Sequence, residues 1–304
     1  METRHGIMGS KLFRVSVAVV LEEVESMKEL RKLAHAKQLQ FAVDTCLVAH
    51  GIRVGYLVDA ISSPDPMRTF TALLRALHKK VRYLNLLNTH ERRHDQVPYG
   101  PQSSAFKDVV LWNHSSAMQS FIVNVPLLEA KLAGLTKGIE QCVFVHLHDS
   151  DDYFSVSSKT PDAIQDVLLK MQTSMAVSPD ILSFTLPEAL TQEVLVPLAA
   201  VVIDYPVAYV PASSEQTSFL SGEALDVYNV SFKCPSSSDS ASNLQKEHVI
   251  LMFSCPRVLV SKHAELSPAA LTEKLRVKFE SRLESVGIHM SVTHHTQTLD
   301  RVAL

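Results

Sequence analysis

Two segments of this chain repeat one plan, and that plan limits the fold more than any other feature. From Ile52 to Val58 an apolar run of strand length closes on Asp59. The turn Ser62-Ser-Pro-Asp-Pro66 follows, and a helical pattern then carries Met67, Phe70, Leu73, Leu74 and Leu77 on one face. From Gln141 to Leu147 a second apolar run closes on an acidic turn, Thr160-Pro-Asp162 starts a helix, and Ile164, Val167, Leu168, Met171 and Met175 recur at helical spacing. Proline is tolerated at such a start because the first N–H groups of a helix have no intrahelical partner. Spacings of three and four residues put each apolar set on one stripe facing a core. Strand-helix alternation of this kind favours parallel pairing.

The remaining segments fit around those two units. Val15 to Val20 is β-branched or small and predicts a first strand, and Glu22 to His50 predicts a long helical stretch stopped by Gly51. Val81 to Leu87 predicts a strand, followed by a polar loop over 88–104 that contains Pro98-Tyr-Gly-Pro101. Val109 to Trp112 and Phe121 to Val125 are short strand candidates, and Pro126 to Leu135 predicts a helix. After Tyr205 the texture changes. Strands are expected at Tyr205 to Val210, Leu225 to Phe232 and His248 to Phe253, the last two joined by a Ser-rich loop near 236–247. Ser267-Pro268 opens a helix with Leu271, Leu275, Phe279 and Leu283 on one face, Gly287 stops it, and Ile288 to Thr293 predicts a closing strand. The expected fold is α/β, a mixed sheet with a parallel βαβ-like N-terminal part and an antiparallel C-terminal addition. The expected boundaries are a disordered 1–10, a single α/β domain over 11–296, and a tail over 297–304.

Composition removes several classes of function. Lys plus Arg total 29 against 32 Asp plus Glu, a formal net charge of -3, so no global field draws polyanions and nucleic-acid binding is disfavoured. No run approaches the ~20 apolar residues of a membrane span, and Val15 to Leu21 is too short for a signal peptide's apolar core with its cleavage region. Cys46, Cys142, Cys234 and Cys255 lie far apart and lack the close pairs of zinc sites and redox dithiols. They read as free core thiols in a reducing compartment, cytoplasmic or nuclear. No Gly-x-Ser-x-Gly elbow occurs among the nine glycines, which disfavours that serine-hydrolase chemistry.

The sharpest chemical cluster is His146-Leu-His148-Asp149-Ser-Asp151-Asp152 at the end of a strand. The side-chain period of two puts His146 and His148 on the same face, and two imidazoles with three carboxylates form a donor set for a divalent metal. Asp59 joins them if the two strands are neighbours. The competing reading is a solvated acidic turn leading to a helix cap, with one histidine packed in the core. A basic stretch, Lys79, Lys80, Arg82, Arg92 and Arg93, suits a phosphate or an acidic partner, against the plainer reading of a solvated helix end. His294-His295 could reach a metal, but a frayed tail is their simpler setting. Tyr205, Tyr209 and Tyr228 either line a pocket or pack at a rim with one wet end.

Asp204-Tyr-Pro-Val-Ala-Tyr209, Phe219-Leu-Ser-Gly-Glu-Ala-Leu-Asp-Val-Tyr228, Met252-Phe-Ser-Cys-Pro256 and Gly55-Tyr-Leu-Val-Asp59 carry a resemblance over roughly residues 40 to 260. The chain resembles the family of the human chromosome-1 open-reading-frame 74 protein, which carries a domain of unknown function. The resemblance implies a soluble single-domain eukaryotic protein and transfers no catalytic residue. Two functions stand against each other at this point. One is a non-catalytic scaffold or interaction protein presenting its loops at 88–104 and 236–247 to another protein. The other is a metal-assisted hydrolase or phosphatase-like enzyme built on the 146–152 cluster, its metal lowering the pKa of a bound water. The sequence fixes neither partner nor oligomeric state.

Overall fold

The computed structural model describes residues 4–59, 61–91, 105–136, 142–148, 154–178, 180–216, 218–233, 247–299 and 302–303. Their contacts fall into two compact units, each assembled from separate stretches of sequence. Unit 1 comprises residues 1–14, 134–166 and 189–304, and unit 2 comprises 15–133 and 167–188. Helices alternate with sheets that contain both parallel and antiparallel pairs, so the fold is α/β.

Helix α1 spans Arg4–Ser26 and takes in both the stretch expected to be disordered and the strand expected at Val15 to Val20. The helical spacing of Phe13, Val20 and Val24, all fully buried, outweighs the β propensity of the valine run. Gly9 fixes its start within unit 1. A Cβ there would lie 2.3 Å from the carbonyl oxygen of Ser285 and 2.9 Å from Cα of Val286, so no larger residue fits. The predicted helix over Glu22 to His50 is interrupted by turns after Ser26 and resumes as α2, His35–Ala49. Gly51 then takes φ +71 and the Ile52 N–H bonds the Leu47 carbonyl, a glycine stop as expected.

Unit 2 is built on one four-stranded sheet of order β1-β3-β2-β6. Its strands are β1 (Gly55–Leu57), β2 (Val109–His114), β3 (Gln119–Asn124) and β6 (Ser183–Thr185). Strands β2 and β3 form a hairpin whose turn uses Met118 at φ 51. The parallel pair lies between β2 and β6, whereas β1 runs antiparallel to β3. Residues Val81 to Leu87 are not a strand: α3 runs unbroken from Pro66 to Glu91. Phe70, Leu73, Leu74 and Leu77 are its buried face, and an established helix with no breaker at its end propagates more easily than it stops. Asn124 ends β3 and caps α4 (Val125–Thr136), its Oδ1 accepting from the Leu127 N–H at 3.0 Å. His114, fully buried, accepts from the Ala117 N–H on Nδ1 at 3.1 Å, so Nε2 carries its proton and donates to the Pro187 carbonyl at 3.1 Å.

Unit 1 holds two three-stranded sheets and a two-stranded one. In the first, β4 (Val143–Leu147) lies between β5 (Phe154–Ser157), which is antiparallel to it, and β7 (Val207–Val210), which is parallel. Helix α5 (Asp162–Val177), which belongs to unit 1 up to Asp166 and to unit 2 from Val167, buries the predicted stripe Ile164, Val167, Leu168, Met171 and Met175. Its first turn closes through Gln165, whose amide donates to the Thr160 carbonyl at 2.8 Å. The apolar stretch before Tyr205 is α6, Gln192–Val202. The small sheet pairs β8 (Ser218–Phe219) with β12 (Val302–Ala303). The remaining sheet is the predicted antiparallel addition, order β10-β9-β11, with β9 at Ala224–Lys233, β10 at Glu247–Pro256 and β11 at Met290–Thr298. Helix α7 (Pro268–Glu284) opens on Ser267, whose hydroxyl accepts from the Ala270 N–H, and buries Leu271, Leu275, Phe279 and Leu283. Among the described residues no helix is long and apolar enough to cross a membrane.

Candidate functional site

Strand β4 carries His146, and His148 follows one residue past its end. His148 is exposed and its Nε2 shares a hydrogen bond of 2.8 Å with the Ser155 hydroxyl of β5. His146 is half-buried, and burial first, then the neighbouring His148, pushes its pKa down. Asp149, Asp151 and Asp152 lie outside the described residues. Asp59 is exposed at the end of β1, a strand of the unit 2 sheet rather than a neighbour of β4. Among the described residues no three His, Cys, Asp or Glu side chains converge as a metal-binding group.

The basic stretch divides. Lys80 is committed to Glu22 and Glu23, at 2.9 Å from each, and Arg92 and Arg93 lie outside the described residues. The loops expected at 88–104 and near 236–247 lie outside them too, apart from the end of α3 and the first residue of β10. Cys46, Cys142 and Cys255 are buried and form no disulfide, and Cys234 lies outside the described residues. The Cys255 pKa is pushed up to about 12 by burial and by the Asp226 carboxylate, so this sulfur is no nucleophile at neutral pH. His50 is equally unsuited to acid-base work there, since burial holds its pKa down at about 4, with Nε2 2.9 Å from the Ser16 hydroxyl.

The arrangement that the sequence reading missed is on the β10-β9-β11 sheet. Alternation along the central strand puts Asp226 and Tyr228 on one face, and register places Cys255 and Thr296 opposite Asp226, with Phe253 and His294 opposite Tyr228. His294 Nε2 lies 3.1 Å from Asp226 Oδ1, and the Thr296 hydroxyl donates to the same oxygen at 2.8 Å. Arg257 donates in turn to the Thr296 hydroxyl at 3.1 Å. Tyr228 stacks on Phe253 at 4.9 Å and leans on the His294 ring at 5.0 Å. Its buried hydroxyl has no hydrogen-bond partner among the described residues, and burial, with the Asp226 charge second, raises its pKa. His294 is therefore anchored in a strand and not part of a frayed tail. The clue was an acid and a histidine in two alternating segments, visible only once their pairing is known.

The other two tyrosines are tied to β10 by their hydroxyls. Tyr205 donates its hydroxyl to the Met252 carbonyl at 2.7 Å, and Tyr209 donates to the Ser254 carbonyl at 3.0 Å. Both thus close on alternate carbonyls of β10. The two outer strands of one sheet end up differently equipped. Strand β10 has a register irregularity between Val249 and Leu251, begins with Glu247 and carries the two tyrosine hydroxyls. Strand β11 pairs with β9 over nine consecutive residues without a shift, contains no Lys, Arg, Asp, Glu or Pro, and exposes Ser291 and the run Thr293 to Thr296. Among the described residues no strand pairs with its other side.

Neither a curated protein nor a solved structure matches the chain. A family match runs from residue 24 to residue 304, wider than the 40 to 260 over which the short motifs carry their resemblance. The chain belongs to the family described as Domain of unknown function (DUF4504).

Proposed function

We propose that this protein is a non-catalytic binding protein that takes an extended polypeptide strand onto the free side of β11. The observation that carries the reading is the contrast between β11 and ordinary sheet edges, which are blunted by lysines, proline, bulges or covering elements. A strand of nine residues in unbroken register presents, among the described residues, a row of backbone groups that no other strand pairs with, and an incoming strand gains affinity by bonding to them. The Asp226 contacts to His294 and Thr296 hold that strand flat against β9, which reduces the ordering cost of binding. Three buried cysteines that form no disulfide favour a reducing compartment, cytoplasmic or nuclear, as its place of work. The test is fluorescence anisotropy with a labelled neutral peptide of nine Val and Thr residues, beside the same peptide N-methylated at alternate amides. Saturable binding of the first peptide alone supports strand addition. Equal binding of both, or of neither, contradicts it.

A second reading rests on His146 in β4 and His148 just past its end, which sit close enough for one to depress the other's pKa. With Asp149, Asp151 and Asp152 they would hold a divalent ion for hydrolysis of a phosphate or ester. Plasma mass spectrometry of untagged protein and of a variant with His148→Ala and Asp149→Ala decides it. Stoichiometric metal lost in the variant favours the enzyme. Protein that stays metal-free after incubation with zinc, magnesium and manganese removes it.

A further inference from the structure

We infer that the strand taken up by β11 is β11 of a second copy of this chain, paired antiparallel about a two-fold axis; this rests on the strand-addition reading above. Directly opposed residues in an antiparallel pair point to the same face. A two-fold axis that joins two sheets edge to edge must keep each face continuous, so only registers in which a residue opposes itself are allowed. Of these, the register centred on His294 pairs every residue of the strand from Met290 to Thr298. It sets Thr293 against His295 of the partner subunit, Val292 against the partner's Thr296, Ser291 against the partner's Gln297 and Met290 against the partner's Thr298.

The chemistry of the strand selects itself as its own partner. The chain's net charge of -3 disfavours self-approach in general, yet β11 contributes no acidic or lysine/arginine side chain to the seam. His294 meets its own copy at the axis, each imidazole beside its own Asp226 carboxylate, and no other pair opposes like charges. Threonine and valine, which favour strands, alternate with short polar side chains that hydrogen-bond across it. The His294 imidazole at the centre is held by Asp226 at 3.1 Å and stacked on Tyr228, so neither copy need reorganise it on pairing. Strand β10 cannot substitute, because its irregular register offers no long row of evenly spaced groups. The result is one continuous sheet of order β10-β9-β11 followed by the same strands reversed, an isologous interface of the commonest symmetry.

Thr293 and His295 are both exposed, face away from the Asp226 contacts, and oppose one another across the axis, so they report the register. The experiment is sedimentation velocity of the full chain from nanomolar to high-micromolar concentration, with two double variants. One carries Thr293→Lys with His295→Lys and the other Thr293→Glu with His295→Glu, each checked for native circular dichroism. The wild type is expected to sediment at twice the chain mass, each variant alone as a monomer, and an equal mixture of the two as a dimer again. A wild type that stays monomeric throughout, or variants that dimerise alone as the wild type does, overturns the inference. Anisotropy with the neutral peptide, run beside it on nanomolar chain, separates the two ideas. Peptide binding by a monomeric wild type leaves strand addition standing with a different partner, whereas loss of both removes both.

Discussion

Strands β10 and β11 flank the same central strand, yet one has been closed and the other left open. Tyr205 and Tyr209 reach two carbonyls of β10, a bulge breaks its spacing near Val249, and Met252 beside them is 60% exposed. Among the described residues strand β11 has none of these devices, and its side-chain ties run to Asp226 and Arg257 on the sheet face. An edge that is regular, uncharged and pinned from behind is suited to receive another strand, whereas one that is bulged and capped by hydroxyls is protected from it. The difference teaches that exposure alone does not define a docking edge; spacing and backbone availability do.

That comparison can be broken from either side. The largest effect is expected from Lys278→Met. Lys278 is the 2.8 Å partner of Asp204, which is fully buried and sits at φ 72 just before Tyr205. Removing one partner of a buried pair costs about 3–5 kcal/mol, so urea denaturation should show a loss of that order, with the β10 side loosening first by hydrogen exchange. Asp226→Ala removes the acceptor shared by His294 and Thr296 and should cost about 1–3 kcal/mol, with faster exchange along β11 and little change along β10. If β10 loosens equally, the inward tie of β11 is not what holds it.

Smaller changes sharpen the contrast. Tyr205→Phe with Tyr209→Phe removes one hydrogen bond each, about 1 kcal/mol apiece, and frees the Met252 and Ser254 carbonyls. The double variant should acquire weak peptide binding at β10 without losing that at β11, read by anisotropy. The smallest effect is chemical. With its pKa near 12, Cys255 should resist an aromatic disulfide reagent at pH 8 in the folded protein and react on unfolding, and its labelling should rise as pH climbs toward 12. Fast labelling of Cys255 in the native state at pH 8 would show that the sheet face around Asp226 is open.

The sequence made much of the architecture legible. The amphipathic stripes of α3, α5 and α7 are buried as their spacing requires, Ser267-Pro268 and Gly51 mark helix ends, and the antiparallel addition after Tyr205 is where its alternation places it. Local reading failed where composition and context disagree. Val15 to Val20 and Val81 to Leu87 have strand-like composition but continue helices whose burial is set by residues on either side, and propensity is too weak to resist that. The candidate site was legible only in part. His146 lies in the strand that its apolar neighbours predict, but that strand ends at Leu147 and His148 lies one residue beyond it. The Asp226, Tyr228 and His294 group was not legible, because His294 is far along the chain from the other two and meets them only through the register of β11 on β9.

Residue-resolved amide hydrogen exchange along β11, at low and at high protein concentration, tests the central claim most directly. The account predicts alternating protection in dilute protein, with the amides facing β9 slow and those on the other side fast, and a gain of protection by the fast set as concentration rises while β10 stays unchanged. Slow exchange at every β11 amide even at the dilution limit would show that the chain itself covers this edge, and would contradict it.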